Sequence, residues 1–315
     1  MRKTTDKIKG YLGKRPLAFI TDASYQLASL KHAPDMADVI WEVKQAFKKG
    51  IQPERTTYGS SASFVLKDCD GKPIAIFKSD HCYRELAAYR LDYQHFAGVP
   101  QTVITTLEHP MFAGKMTGSC HYFIQGSVTV VELNKKVFKN FSPASVRRIA
   151  ALDIRMMNGD RHTSNMLVVE HQEIVPIDHG YIFPHDLSQI HFIWVEWEQT
   201  AIPFTEHELS YIALLDPERD RHMLLEELYL EEIFANRLFV ATVLLKCAAI
   251  RGLNPMEIGG FMIRKRGGRQ EYSKFEQLIE NIKHRNPSNW TLFSRCVYEE
   301  VEGTLDDYQK NEKIN

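Results

Sequence analysis

The sequence predicts an α+β chain of two lobes, a small β-rich one over residues 56–126 and a larger, mainly helical one over 127–270. Three observations carry this. Between Ser63 and Gln125 apolar residues come in short runs separated by turn residues, the pattern of half-buried strands. After Ser142 they recur every three or four positions, as in Val146, Ile149, Leu152 and Met156, the spacing of a helix packed on one side. Between these regimes and the C-terminal helices, Leu152–Phe183 reads as a helix end, a polar loop NGDRHTSN and two apolar runs around the turn EHQE.

Bulk composition narrows the class. A chain of 315 residues, 44% hydrophobic and 25% charged, is expected to fold as one large or two ordinary globular domains. A net charge of −1 argues against nucleic acid as the principal partner. Five cysteines without a C-x-x-C pair fit a reducing compartment better than a disulfide framework. The basic N-terminus lacks an apolar h-region, so no secretory signal is expected. No run approaches the ~18 apolar residues a transmembrane helix needs. The expectation is an intracellular protein, soluble or peripheral to a membrane.

In order along the chain, residues 1–55 hold eleven Lys or Arg against six acids. Within them Asp35–Lys49 has helical spacing, with Met36, Val39, Ile40, Val43 and Phe47 on one face. The segment reads as a solvated N-terminal extension, with attraction to phosphates or anionic lipid as the sharper alternative. Gly59, Ser60, Ser61, Ala62 and Ser63 form a small-residue loop whose amides can approach phosphates closely. Ser63–Leu66 and Pro73–Lys78 flank Asp70-Gly71, a hairpin signal that leaves Lys78 at a strand end. A helix follows in YRELAAYRLDYQHF, carrying Glu85, with Leu86, Tyr89 and Phe96 available for burial. Val99–Leu107 and Lys115–Gln125 read as strands, and the latter runs into a connection near Phe123–Gly126. Ser142-Pro143 is an N-cap with a first-turn proline.

Beyond Phe183, Trp194 and Trp197 are expected in the core. Residues 191–235 carry eleven acids against Arg219 and Arg221, which reads as a solvated helical face. Phe234, Leu238, Ala241, Leu245 and Ala248 define a long amphipathic helix, and Asn254-Pro255 caps the next. Arg264, Lys265, Arg266 and Arg269 form the densest basic cluster, solvated by default and otherwise suited to an inositol polyphosphate or anionic lipid. Residues 271–315 hold two further helices, near Tyr272–Arg285 and Asn289–Leu305, and a polar tail.

The chemistry lies in the polar loop. Asp160 and Asn165 are five positions apart on it, and a hairpin of Met166–Val169 with Ile174–Ile177 returns Asp178 beside them. Phosphoryl transfer needs such a cluster: one carboxylate for the acceptor hydroxyl, an amide and a second carboxylate for metals on the nucleotide phosphates. The spacing matches the protein-kinase catalytic loop, and Asp178-His179-Gly180 stands where kinases have Asp-Phe-Gly. In that arrangement a strand lysine, Lys78, pairs with a helix glutamate, Glu85, and the connection at Phe123, Ile124 and Gln125 offers its backbone to adenine. His179, His185 and His191, spaced by six, match no zinc ligand string.

From Gly59 to about Ile282 the chain resembles the phosphatidylinositol 3-/4-kinase-like superfamily, and within it the type II phosphatidylinositol 4-kinases and their plant gamma branch. The resembling segments include IAIFK, RELAAYRLDYQHFAGVPQT, LDIRMMNGDRHTSNMLV, IVPIDHGYIFP, WVEWEQTAIPFTEHELSYIALLDP and EIGGFMIRK, in family order. The resemblance implies a bilobal protein-kinase-like fold using ATP and Mg2+ or Mn2+. It implies Lys78 for the phosphates, Glu85 as its partner, Asp160 as the catalytic carboxylate, and Asn165 and Asp178 for metal. Two departures stand out. The loop GSSAS is poorer in glycine than the family's version, and six residues separate Lys78 from Glu85 where type II relatives carry a long insertion with a palmitoylated Cys-rich segment. Because that insertion is missing, the acceptor favoured from sequence is a protein Ser/Thr hydroxyl. Two alternatives stay open: a phosphatidylinositol kinase docking through its basic clusters, and a pseudokinase that binds nucleotide or phosphoinositide without turnover.

Overall fold

In the computed structural model, which describes residues 34–56, 63–264 and 271–312, the first hairpin is set by its turn. The Asp68 side chain accepts the backbone N–H of Asp70 at 2.9 Å and of Lys72 at 2.8 Å, and Gly71 takes φ +80°. β2 (Ser63–Lys67) and β3 (Pro73–Lys78) therefore pair antiparallel with Ser63 opposite Lys78. β4 (Thr102–His109) and β5 (Gly114–Tyr122) form the second hairpin. With β1 (Glu54–Arg55) they make a five-stranded sheet of order β1-β2-β3-β5-β4.

The helix expected from residue 35 forms as α1 (Met36–Lys48), capped by the Asp35 carboxylate. It is not a solvated lead-in. Met36, Val39 and Val43 pack on Phe64, Leu66, Phe77, Leu107 and Phe112, so α1 closes one face of the sheet. The described part of the N-terminal extension thus belongs to the small lobe, because its apolar face has a sheet to cover. Residues 1–33 of that extension lie outside the described residues. α2 (Cys82–Leu91) follows β3 after three residues, and Ala87, Ala88 and Leu91 join the core of the large lobe.

β5 and β3 approach closely at Gly118. A Cβ there would lie 2.2 Å from the Lys78 carbonyl oxygen and 3.0 Å from a Phe77 ring carbon. Gly118→Ala must push β3 and β5 apart, and we expect a cost of about 1–3 kcal/mol, read as a lower denaturation midpoint, because backbone cannot yield as a side chain can. The same displacement moves Lys78.

The large lobe is built on α3 (Pro143–Met156), which Ser142 caps as expected and which is buried on every face from Ser145 to Met156. The small sheet β6 (Val128–Thr129), β7 (Met166–Val168) and β8 (Ile174–Pro176) includes the predicted hairpin. α4 (Glu206–Leu214), α5 (Pro217–His222), α6 (Glu232–Ile250), α7 (Pro255–Met262), α8 (Lys274–His284) and α9 (Trp290–Glu312) complete the lobe. Phe275, Leu278, Ile279, Ile282, Val297, Val301 and Leu305 lie in the same core as α3 and α6, so the last two described helices are part of the lobe.

Two expectations change here. The acidic stretch is not a uniform solvated face: Glu208 takes a two-oxygen contact from Arg147 Nε, and Asp220 pairs with Arg155 at 2.5 Å, all four side chains buried. The helix with the 4-3-4-3 stripe, α6, is buried on nearly every side. It has the length and hydropathy of a membrane span, which its Asn236, Arg237 and Lys246 hid from a search for an uninterrupted run, but 78% of its most apolar window is buried in the lobe. It is core.

Candidate active site

The site forms where the small sheet meets the β7–β8 hairpin. Lys78 ends β3 with its ammonium 2.9 Å from Glu85 Oε1 on α2 and 2.9 Å from Asp178 Oδ1, just past β8. Glu85 Oε2 accepts the backbone N–H of His179 at 3.0 Å. One carboxylate thus joins β3, α2 and the segment after β8. Lys78, Asp80, His81, Glu85, Asp178 and Tyr181 line a pocket of about 180 Å³.

Electrostatics make the pair a committed one. Burial disfavours charge on Lys78, but Glu85 and Asp178 outweigh it and hold its pKa above the ordinary lysine value. Burial would likewise raise Glu85, yet Lys78 and the hydrogen bond from His179 hold it well below the usual carboxylate range. Asp178 is 37% exposed and sits at φ +56°, a region Asp enters more readily than most residues.

Asp160 and Asn165 share a short loop. Asn165 Nδ2 donates to the Asp160 backbone carbonyl at 2.8 Å and to its Oδ2 at 3.1 Å, while His162 Nε2 lies 3.1 Å from Oδ1. The Ile177 N–H donates to Asn165 O at 3.0 Å, which brings the hairpin end bearing Asp178 against the loop. Beneath lies a buried brace. Asp153 on α3 accepts from Arg161 Nε at 2.9 Å, Asn158 Nδ2 at 3.0 Å and Trp194 Nε1 at 2.9 Å. Arg161 also donates to the carbonyls of Asn165 and Ile177, so one guanidinium ties loop, hairpin and helix together. The Asn158 side chain in turn accepts the Asp160 N–H at 2.8 Å. Gly159 fits where a Cβ would lie 3.2 Å from the carbonyls of both Gln189 and Tyr181.

The structure thus brings Lys78, Glu85 and Asp178 into contact, and Asp160 and Asn165 into another contact joined to them through the hairpin. Of the residues that position the loop, Asp153 carries no motif of its own; Asn158, Arg161 and His162 lie inside NGDRHTSN but have no role assignable from sequence, although the His162 ring meets Asp160. Trp194 is in the core as expected, and what the sequence does not show is its indole N–H donating to Asp153. Gly59, Ser60, Ser61 and Ala62 lie outside the described residues, whereas Ser63 lies in β2, its hydroxyl bonded to that of Thr56. Phe123, Ile124 and Gln125 link β5 to β6; the Phe123 N–H donates to Ile74 O at 3.1 Å and Ile124 O accepts from Ser127 Oγ at 2.8 Å. Those two backbone groups are engaged within the chain. Arg264 is held by Glu276, Nε to Oε2 at 2.9 Å, beside Tyr272, so it is not a solvated member of a basic cluster. Lys265, Arg266 and Arg269 lie outside the described residues.

Among the described residues no group of three or more His, Cys, Asp or Glu side chains makes a ready metal site. The donors present, Asn165 Oδ1 and the Asp178 carboxylate, are hard oxygens. They suit Mg2+ or Mn2+, whose other ligands would be phosphate oxygens and water.

Next to this cluster, His121 on β5 hydrogen-bonds Thr102 Oγ1 at 3.0 Å and Ser119 Oγ at 2.9 Å. Burial lowers its pKa to about 4, against the pull of Glu85 and aided by Lys78. The unfolded chain therefore takes up this proton first. Between about pH 6.5 and pH 4 the residue should withdraw roughly 1.4 kcal/mol of stability per pH unit as pH falls. Denaturant titrations of wild type and His121→Gln across that window check this, the variant showing the shallower loss.

A sheet-borne lysine paired to a helix glutamate, facing a loop and hairpin on a helical lobe, belongs to the protein-kinase-like fold. Residues 62–256, more than half of the chain, match the family model described as phosphatidylinositol 3- and 4-kinase, and the chain belongs to that family. It is 31% identical to phosphatidylinositol 4-kinase gamma 6 of Arabidopsis thaliana over 83% of this chain and 52% of the relative. It is 34% identical to phosphatidylinositol 4-kinase gamma 5 of the same plant over 75% and 46%, and 28% identical to phosphatidylinositol 4-kinase gamma 4 of Oryza sativa subsp. japonica over 81% and 52%. The chain spans about half the length of the curated relatives it matches.

Proposed function

We propose that this chain is an ATP- and metal-dependent phosphotransferase whose acceptor is a hydroxyl of phosphatidylinositol. The observation that supports the chemistry is the Lys78 ammonium held between Glu85 and Asp178, one residue from the bond joining the hairpin to the Asp160–Asn165 loop. The names of the relatives support the lipid acceptor over the protein hydroxyl favoured from sequence. The missing insertion argued about an anchor, not about the acceptor.

In this reading Lys78 holds the nucleotide phosphates, and Glu85 keeps its ammonium in place. Asp160 orients the acceptor hydroxyl and takes its proton, while the Asn165 amide keeps the Asp160 carboxylate turned. Asn165 Oδ1 and Asp178 would hold the cation, which supplies neutralisation of phosphate charge when bound. Positioning and electrostatics are what such transfer asks of a protein. Lys265, Arg266 and Arg269 add positive charge suited to an anionic membrane surface.

A protein Ser/Thr acceptor is the second reading: the cluster of Lys78, Glu85, Asp160, Asn165 and Asp178 would serve either hydroxyl equally, since it acts on the phosphates and not on the rest of the acceptor. Phosphate transfer from γ-labelled ATP with Mg2+ or Mn2+, into phosphatidylinositol vesicles or generic proteins in parallel, separates the two. We expect label in lipid, lost in Asp178→Ala. Label confined to protein would replace the lipid reading. Nucleotide binding with no transfer to either would favour the pseudokinase.

A further inference from the structure

His179 occupies the position of the phenylalanine in Asp-Phe-Gly, and it is used differently. Its side chain is 2% exposed, with Nδ1 3.5 Å from Glu85 Oε2, the oxygen that already accepts the His179 backbone N–H at 3.0 Å. The other ring nitrogen, Nε2, is buried without a hydrogen-bond partner among the described residues. Glu85 Oε1 meanwhile faces Lys78 at 2.9 Å.

We propose that the His179 imidazole is a positioning residue for Lys78: with its proton on Nδ1 it gives Glu85 Oε2 a second donor and so fixes Oε1 toward the lysine. The inference rests on the phosphotransferase reading of the site. Each oxygen of a buried carboxylate can accept two hydrogen bonds, and the water that would otherwise fill the second place on Oε2 is excluded here. A phenylalanine would fill the same space and leave Oε2 with the backbone N–H alone. The histidine also brings a buried unpaired nitrogen, itself unfavourable. That penalty is offset only at Nδ1, where the ring meets Glu85. Because His179 adjoins Asp178, the ring links the lysine side of the site to the metal side through one carboxylate.

The two nitrogens can be told apart by amide substitutions. Asn places a donor near Nδ1 and nothing at the ε position; Gln places its amide near Nε2; Phe supplies the volume with no donor. We expect His179→Asn to bind Mg2+·ATP within about threefold of wild type, and His179→Gln and His179→Phe to bind at least about tenfold more weakly, the loss expected for a hydrogen bond to a charged group. Calorimetric titration reads this without reference to any acceptor. If Asn were as impaired as Phe, or if all three bound as wild type does, the inference would be overturned. In parallel, nitrogen-15 NMR of the imidazoles, assigned by difference with His179→Asn, should show the Nδ1–H tautomer at 179. An Nε2–H signal would overturn the proposal even in a protein that binds ATP. Wild type that binds no nucleotide would defeat the phosphotransferase reading, and the tautomer would still decide the role of the ring.

Discussion

In the proposed phosphotransferase Lys78→Met is expected to lower phosphate transfer by about 10²–10³-fold, the scale of removing one preorganised charge-stabilising donor from a reaction centre. Its second effect distinguishes this site from an ordinary surface pair. In the wild type the depressed Glu85 pKa contributes stability that is present above its unfolded value, about 4.3, and lost as pH falls through the folded one. Without Lys78 the burial of Glu85 dominates, and the folded state prefers the protonated acid. The variant should therefore be most impaired near neutral pH and recover relative stability toward pH 4–5, opposite in sign to the wild-type contribution. Urea midpoints of both proteins across that range test it. Parallel curves would show that Glu85 does not depend on Lys78.

Asp153→Ala should be the most damaging single substitution in the large lobe. It removes the acceptor of Arg161, Asn158 and Trp194 together and leaves a guanidinium with 0% exposure without its counter-charge. Breaking a buried ion pair from one side costs about 3–5 kcal/mol. A domain is typically stable by only about 5–15 kcal/mol, so the variant should unfold at a much lower denaturant concentration. Trp194→Phe removes one donor and keeps the pair. It should cost less, about 1–3 kcal/mol as the carboxylate loses one buried partner. Equal losses for the two variants would mean that the ion pair contributes little.

That brace was illegible in the sequence for a physical reason. Asp153 lies within a helix whose apolar residues already form a stripe, so a polar residue there reads as solvent-facing. Its partners are Trp194, Asn158 and Arg161, all outside α3, and they reach it only in the folded lobe. Glu208 and Asp220 misled in the same way: local composition suggests a wet acidic face, but their arginines sit on α3, more than sixty residues earlier. By contrast Lys78, Glu85, Asp160, Asn165 and Asp178, which the structure brings together, stand out in the sequence because their residue types come at the spacing that phosphoryl transfer would ask for. The strands and the Ser142 cap were equally legible, since turn and cap chemistry is local. α1 was half-read: its apolar face was visible, but not the sheet that covers it.

The apolar character of α6 has a consequence for biosynthesis. Phe239 on that helix meets the rings of Trp290, Phe293 and Tyr298, all from α9, the last described helix to leave the ribosome. Until about forty further residues have been made, a segment with the hydropathy of a membrane span is without part of its cover. A nascent or truncated chain ending before residue 290 should therefore engage holdase chaperones or aggregate, although every residue of the candidate site has already been translated.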